Sequence, residues 1–317
     1  MASTVASEAQ PSTAAAPVPP RGRRHRRLGW EQRRAAWLML APALVHLIWW
    51  IGIPVVATFV LAFTNYDVLA GTASFVGFDN FVEMFSDDVW NGAIWHTIVY
   101  TFFTVPVAMA IAVIVAVLLN QKLRARAWYR AAFFLPHITA TVAIAMVWMW
   151  MFEPRVGLFN AILEWFGFTG PAWLSDPNTA MPAVIVVGVW QGIGLKMLIY
   201  LAALQSIPTE LYEAASIDGA SKRRQFWSIT LPLLRPATFF VFVVSMIGAF
   251  QVFEQVYVLT AGGPANATTV MTYEIYQTAF SEFRIGLACA QSVVLFAFLL
   301  VLTLISRRMT GKDDHET

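Results

Sequence analysis

The sequence predicts an all-α polytopic membrane protein with about six transmembrane helices, and three observations lead there. Of its 317 residues 58% are hydrophobic and only 13% charged, far from the balance of a soluble domain. Six apolar segments are each long enough to cross ~30 Å of hydrocarbon, which takes about 20 helical residues. The cations gather between alternate segments, as the positive-inside rule expects of a multi-pass chain.

Residues 1–28, rich in Ala, Ser, Thr and Pro and then in arginine, bury too little apolar surface to order themselves and are expected to form a disordered basic cytoplasmic tail. The transmembrane domain then occupies 29–311. Its first apolar stretch, 35–63, far exceeds the ~7–15 residues of a signal h-region, so it is retained as a helix. Further spans are expected at 96–119, 133–152, 182–204, 236–258 and 286–306, with 312–317 a second tail. Eighteen of the 21 lysines and arginines lie near the two termini or in the segments 120–132 and 205–235, which puts both termini and those two loops in the cytoplasm. The loop 64–95 instead holds Asp67, Asp79, Glu83, Asp87 and Asp88, and no Lys or Arg. With Phe75, Phe78, Phe81, Phe85 and Trp90 it reads as a structured external cap with short amphipathic helices, a docking surface for something outside the membrane.

Several function classes lose support. The single cysteine, Cys289, permits no intrachain disulfide and no cysteine metal cluster. Nucleic acid is a poor partner for a chain of net charge +2. Neither H-E-x-x-H nor G-x-S-x-G occurs, and the five histidines are scattered. Gly192-Ile-Gly-Leu-Lys196 lacks the spacing and hydroxyl of a phosphate loop, so the chain is expected to bind no ATP, cofactor or metal itself and not to be an enzyme. Glu254 is the one clear acid inside a span, too little for the acid series of a proton or sodium relay.

The segment 205–235 breaks the apolar pattern. Pro208 ends the fourth span, Thr209 can cap a helix over Glu210 to Asp218, and Glu210 and Glu213 suit its positive N-terminal end. Gly219 supplies the turn, Ser221 caps a second helix from Lys222 to Leu231, and Pro232 and Pro236 end it. Ala214, Ala215 and Ala220 allow close approach of another surface, while Phe226, Trp227, Ile229 and Leu231 can anchor the hairpin to the spans. It is either a partner's docking site or an interfacial hairpin whose Lys222, Arg223 and Arg224 meet lipid phosphates.

The spacing resembles the EAA loop of the membrane subunits of binding-protein-dependent ABC importers, E-A-A, three residues, G, nine residues, I, one residue, L-P. Glu213, Ala214, Ala215, Gly219, Ile229, Leu231 and Pro232 match it, with Asp218 and Ala220 giving the D-G-A form of sugar permeases. Similarity to the carbohydrate-uptake branch, the first permease of a maltose or glycerol-3-phosphate type pair, extends through Asn80-Phe81, Arg130 to Pro136, Leu204 to Pro208 and Phe250 to Pro264. The resemblance implies a bacterial plasma (inner) membrane, a heterodimer with a second permease, a cytoplasmic ATPase dimer that holds the ATP and magnesium, and an extracytoplasmic solute-binding protein. It implies coupling to the ATPase through Glu213, Ala214, Ala215, Asp218 and Gly219.

A sugar pathway needs hydroxyl-bonding groups and flat aromatic faces. Candidates are Trp190, Gln191 and Lys196 on the fourth span, Gln251, Glu254, Gln255 and Tyr257 on the fifth, and Gln291 and Ser292 on the sixth. Lone glutamines and serines also bond between helices, and end aromatics also belong to the interfacial belt. A lysine inside a span must face water, a partner or a substrate; related permeases often carry a neutral polar residue where Lys196 stands. At 1.5 Å per residue in regular helices, Lys196 lies ~21 Å deep and Glu254 ~6 Å, which argues against their pairing. The rival reading is a stand-alone ion-coupled secondary transporter or channel.

Overall fold

The computed structural model describes residues 30–67, 71–121 and 123–310. The two tails read from the sequence, 1–28 and 312–317, lie outside the described residues. The chain divides into two compact units, one up to Pro54 and the other from Val55 on. In the first, α1 (Trp30–Leu47) leads into a π-helical turn at Ile48–Gly52.

After α2 (Ile53–Leu61) the second unit contains the one departure from an all-α chain among the described residues. Strands β1 (Thr64–Asp67) and β2 (Thr72–Phe75) pair antiparallel with Thr64 opposite Phe75, a hairpin favoured locally by Thr, Tyr and Phe. Helix α3 (Asp79–Ser86) follows, and Asn80 Nδ2 donates to the carbonyls of Ala62 at 2.9 Å and Thr64 at 3.0 Å, fixing it to the hairpin.

The long helix α4 (Asp88–Leu119) starts well before the expected 96, because Asp87 caps it by accepting from the Val89 N–H at 2.9 Å. Asp176 likewise caps α8 (Pro177–Gln205), whose first position is a proline. Between them the expected third span, 133–152, is two helices, α5 (Arg126–Ile138) and α6 (Thr141–Met151), bent by 98°. Pro136 removes a backbone donor just before the bend. A short α7 (Leu158–Trp165) precedes α8.

Beyond α8 come α9 (Thr209–Ile217), α10 (Lys222–Gln225), a π-helical turn, α11 (Leu231–Leu233) and α12 (Arg235–Phe250). The stretch Lys222–Leu233 is bent by 63° from α12, with Pro232 and Pro236 flanking the bend. The fifth span, read as 236–258, stops at Phe250. The chain is non-helical over Gln251–Phe253 and resumes as α13 (Glu254–Leu259). The freed carbonyl of Val252 accepts from the hydroxyl of Thr272 on α14 (Met271–Tyr276). The last helix is α15 (Ile285–Thr310). Among the described residues four helices can cross a membrane by length and composition, and up to six if each bent pair is one crossing.

Helix α8 packs on α4, α5, α12 and α13. Bare backbone permits the closest approaches: a Cβ at Gly194 would stand 2.5 Å from the Phe133 carbonyl of α5, and one at Gly188 only 2.3 Å from the Tyr100 hydroxyl of α4. Small residues play this part in membrane helix packing generally. Near the hairpin, Trp90 is wholly buried against Met84, Met271 and Leu287, whereas Phe75, Phe78 and Phe85 are exposed.

The surroundings of this cap are acidic. Arg284 donates to both Glu83 carboxylate oxygens, at 2.6 and 2.7 Å, tying α3 to the start of α15. On α14, Glu274 is buried; burial first, and then the charges of Glu282 and Asp87, raise its pKa from 4.5 to about 7. The protonated form is favoured by folding, so its stabilisation is full below the unfolded value and is lost as pH rises through about 7. Melting temperature in detergent should therefore fall between pH 5 and pH 8, and Glu274→Gln should flatten that slope; an unchanged slope would show that other groups set it.

Candidate functional site

A cavity of about 530 Å³ opens where α4, α8, α12 and the α12–α13 break meet, with α5 and α6 contributing His137 and Thr141. The volume lies within the ~300–1,000 Å³ usual for small-molecule sites. Val105, Leu195, Ile199, Val241, Val244 and Phe253 form its apolar wall.

Three hydrogen bonds cross the bundle at this cavity. The Tyr100 hydroxyl donates to Gln255 Oε1 at 2.7 Å, Gln255 Nε2 donates to Gln191 Oε1 at 2.7 Å, and Gln191 Nε2 donates to Thr141 Oγ1 at 3.1 Å. The amide orientations are the ones that satisfy this relay. It joins α4, α13, α8 and α6, and Tyr100, Gln191 and Gln255 are all buried.

Of the sequence candidates for a solute pathway, Gln191, Lys196, Gln251, Glu254 and Gln255 line this cavity. The other four do not. Trp190 turns toward α6 and meets Trp148 edge-on with centroids 5.4 Å apart, because its helix neighbour Gln191 takes the cavity side. Tyr257, on the far side of α13 from Gln255, stacks on Phe253 at 5.4 Å. Gln291 is fully buried within α15, and Ser292 donates to the Ala288 carbonyl one turn back at 2.8 Å. The depth count that separated Lys196 from Glu254 assumed regular helices. The break at Gln251–Phe253 removes that assumption and both side chains line one cavity, although the only ion pair among the described residues is Arg284–Glu83.

Sequence reading missed Tyr100, Thr104, His137, Thr141 and Ser245. A tyrosine or threonine inside an apolar helix gives little signal, and His137 stands within a run read as plain span.

The segment 205–235 forms a second candidate site. Helix α9 begins at Thr209 with Pro208, not Thr209, in the capping position. It ends in a Schellman motif: the Gly219 N–H bonds the Ser216 carbonyl at 3.1 Å, the Ala220 N–H bonds the Ala215 carbonyl at 2.8 Å, and Gly219 has φ +76°. Ser221 Oγ then caps the next helix by accepting from the Arg224 N–H at 3.4 Å.

Inside the turn, Gln225 is buried and its Nε2 donates to Ser216 Oγ at 2.9 Å and the Ala220 carbonyl at 3.1 Å. The Tyr212 and Thr230 hydroxyls share a hydrogen bond of 2.9 Å, a second strut between the arms. Glu213, Ala214, Asp218 and Gly219 are exposed, Ala215 half-buried, and Ile217 is 88% exposed. The expected anchors Phe226, Ile229 and Leu231 are half-buried, but Trp227 is 59% exposed; Gln225 and Thr230 take the inward positions on that arm.

Tyr100→Phe should leave Gln255 Oε1 without its donor in a buried setting. A loss of about 1–3 kcal/mol is expected from such an orphaned group, read as a lower melting temperature of the purified protein. An unchanged temperature would mean the relay adds nothing to stability.

Residues 89–311 match the family model described as the binding-protein-dependent transport system inner membrane component. The chain is 33% identical over 294 residues to the arabinooligosaccharides transport system permease protein AraP of Bacillus subtilis, covering 92% of this chain and 93% of that one. It is 33% identical over 282 residues to the sn-glycerol-3-phosphate transport system permease protein UgpA of Agrobacterium fabrum, covering 88% and 95%. Among solved structures, a chain of a bacterial ABC transporter involved in the import of the acidic polysaccharide alginate superposes with a TM-score of 0.75 at 26% identity, over 89% of this chain and 99% of that one. With seven-tenths of its length inside the family model and relatives aligned almost end to end, the chain belongs to the binding-protein-dependent transport system inner membrane components.

Proposed function

We propose that the chain is one membrane-spanning permease subunit of an ATP-driven sugar importer, forming half of the translocation pathway. The observation that carries this is the cavity: a member of this family gathers Gln191, Lys196, Gln251, Glu254 and Gln255 from separate helices around one opening inside the bundle. Relatives named for glycerol-3-phosphate and arabinooligosaccharides, and a structural neighbour that imports alginate, support a polyhydroxylated solute.

In this reading the chain lies in the bacterial plasma membrane with both termini and the hairpin 205–235 on the cytoplasmic side. A second permease completes the pathway, an outer binding protein delivers the solute, and an ATPase dimer holds ATP and magnesium. Closure of that dimer moves α9, which offers Glu213, Ala214, Ala215, Asp218 and Gly219, with the exposed Ile217 between them, to a cleft on the ATPase. The Gln225 and Tyr212–Thr230 struts let the two arms move as one body and pass the displacement to α12.

Glu213→Lys should uncouple the complex, with solute-stimulated ATP hydrolysis and uptake falling tenfold or more while the protein still purifies as a folded species. Uptake at the normal rate would remove the coupling role. The pathway is tested separately by Gly248→Trp. A Cβ at Gly248, on the cavity wall, meets no atom within 4 Å, so a side chain there starts in open space; an indole is expected to obstruct the cavity and stop uptake, and uptake that survives in a folded variant places the pathway elsewhere.

A further inference from the structure

Lys196 occupies a built seat. Its Nζ donates to the Gly192 carbonyl one turn back at 3.0 Å, and a Cβ at position 192 would lie only 2.9 Å from that nitrogen. The ammonium rests on bare backbone, and any larger residue at 192 would displace it. Side chains in a helix lean toward its N-terminus, so this pairing follows from a glycine four residues before the lysine. Only one of the three N–H groups is used.

Among the described residues Lys196 takes part in no ion pair; the one found there is Arg284–Glu83. A cation inside a span is retained at a cost unless a counter-charge meets it. The neighbouring amides are committed. Gln255 both accepts and donates within the relay, and so does Gln191. They hold helices together, each keeping one further amide N–H, and Lys196 is the cationic donor on the half-buried wall. Gln251 on the break and Glu254 at the start of α13 are exposed and line the cavity, where an amide and a carboxylate can accept from hydroxyls.

Resting on the reading of this cavity as the solute pathway, we propose that it recognises an anionic polyhydroxylated solute. Its acidic group, a carboxylate or phosphate ester, meets the Lys196 ammonium seated on Gly192, and its hydroxyls face Gln251 and Glu254. Gln191 and Gln255 are positioning residues that set the wall and do not themselves bind the solute.

The test is uptake by proteoliposomes holding the complete complex with its own binding protein, using labelled glycerol 3-phosphate, a galacturonate disaccharide and maltotriose. At least one anionic probe is expected to be carried, which of the two separating phosphate ester from carboxylate. Lys196→Met should cut that uptake at least tenfold, Lys196→Arg should recover part of it, and Gly192→Ala, which keeps the charge but unseats it, should fall between. Uptake of maltotriose alone, uptake of neither anionic probe, or anionic uptake indifferent to Lys196→Met overturns the proposal. Gly248→Trp separates the two readings: if it blocks uptake while Lys196→Met is silent, the pathway stands and the anion site falls, and if uptake survives it, the pathway itself is wrong.

Discussion

The hydrogen-bond relay from Tyr100 through Gln255 and Gln191 to Thr141 is the constraint on which the rest of the bundle depends. Apolar helices in lipid gain little from meeting one another, since lipid is as apolar as their side chains; close packing and hydrogen bonds between them must supply the specificity. Here both operate at one level of α8. Gly188 lets the Tyr100 ring lie against the helix backbone, and Gln191, one turn on, accepts from Gln255 and donates onward to Thr141. Four helices are thereby held in one register, and the cavity is the space their differing directions leave.

The breaks in the helices belong to the same arrangement. Were α12 to continue past Phe250, Gln255 would be carried along the span and away from Gln191. Its interruption at Gln251–Phe253 starts α13 afresh beside α6 and α8. The exposed backbone does not go unsatisfied: Val252 finds Thr272, and the Gly262–Thr269 loop is closed by the hydroxyls of Thr268 and Thr269 on the Gly263 and Gly262 carbonyls, at 2.8 and 3.1 Å. Irregular backbone within a membrane bundle is tolerated where it is buried in protein or faces a cavity; Val252 is buried and Gln251 lines the cavity.

The hairpin after α8 is stiff for different reasons. Its turn is closed by backbone bonds that need φ > 0 at Gly219, which a residue with a Cβ adopts at a cost. Its two arms are pinned by Gln225 and by the Tyr212–Thr230 bond. None of those three residues belongs to the spacing that made the segment recognisable. The motif carries the surface that faces outward, and these three hold its shape.

The sequence by itself determined the helical membrane class, the family and the helix–turn–helix at 209–233. Apolar run length, turn residues and motif spacing are local properties, set by hydrocarbon thickness and backbone conformation. It also held five of the nine pathway candidates that converge, because a charged or amide side chain in an apolar helix stands out wherever it points. Only the tertiary structure decided which faces met: it turned Trp190 and Tyr257 away from the cavity, buried Gln291, bent the third span by 98°, and brought Glu254 and Lys196 to one cavity. Those outcomes depend on where one helix stops against another, and in an almost uniformly apolar chain no periodicity marks the side that faces a neighbour.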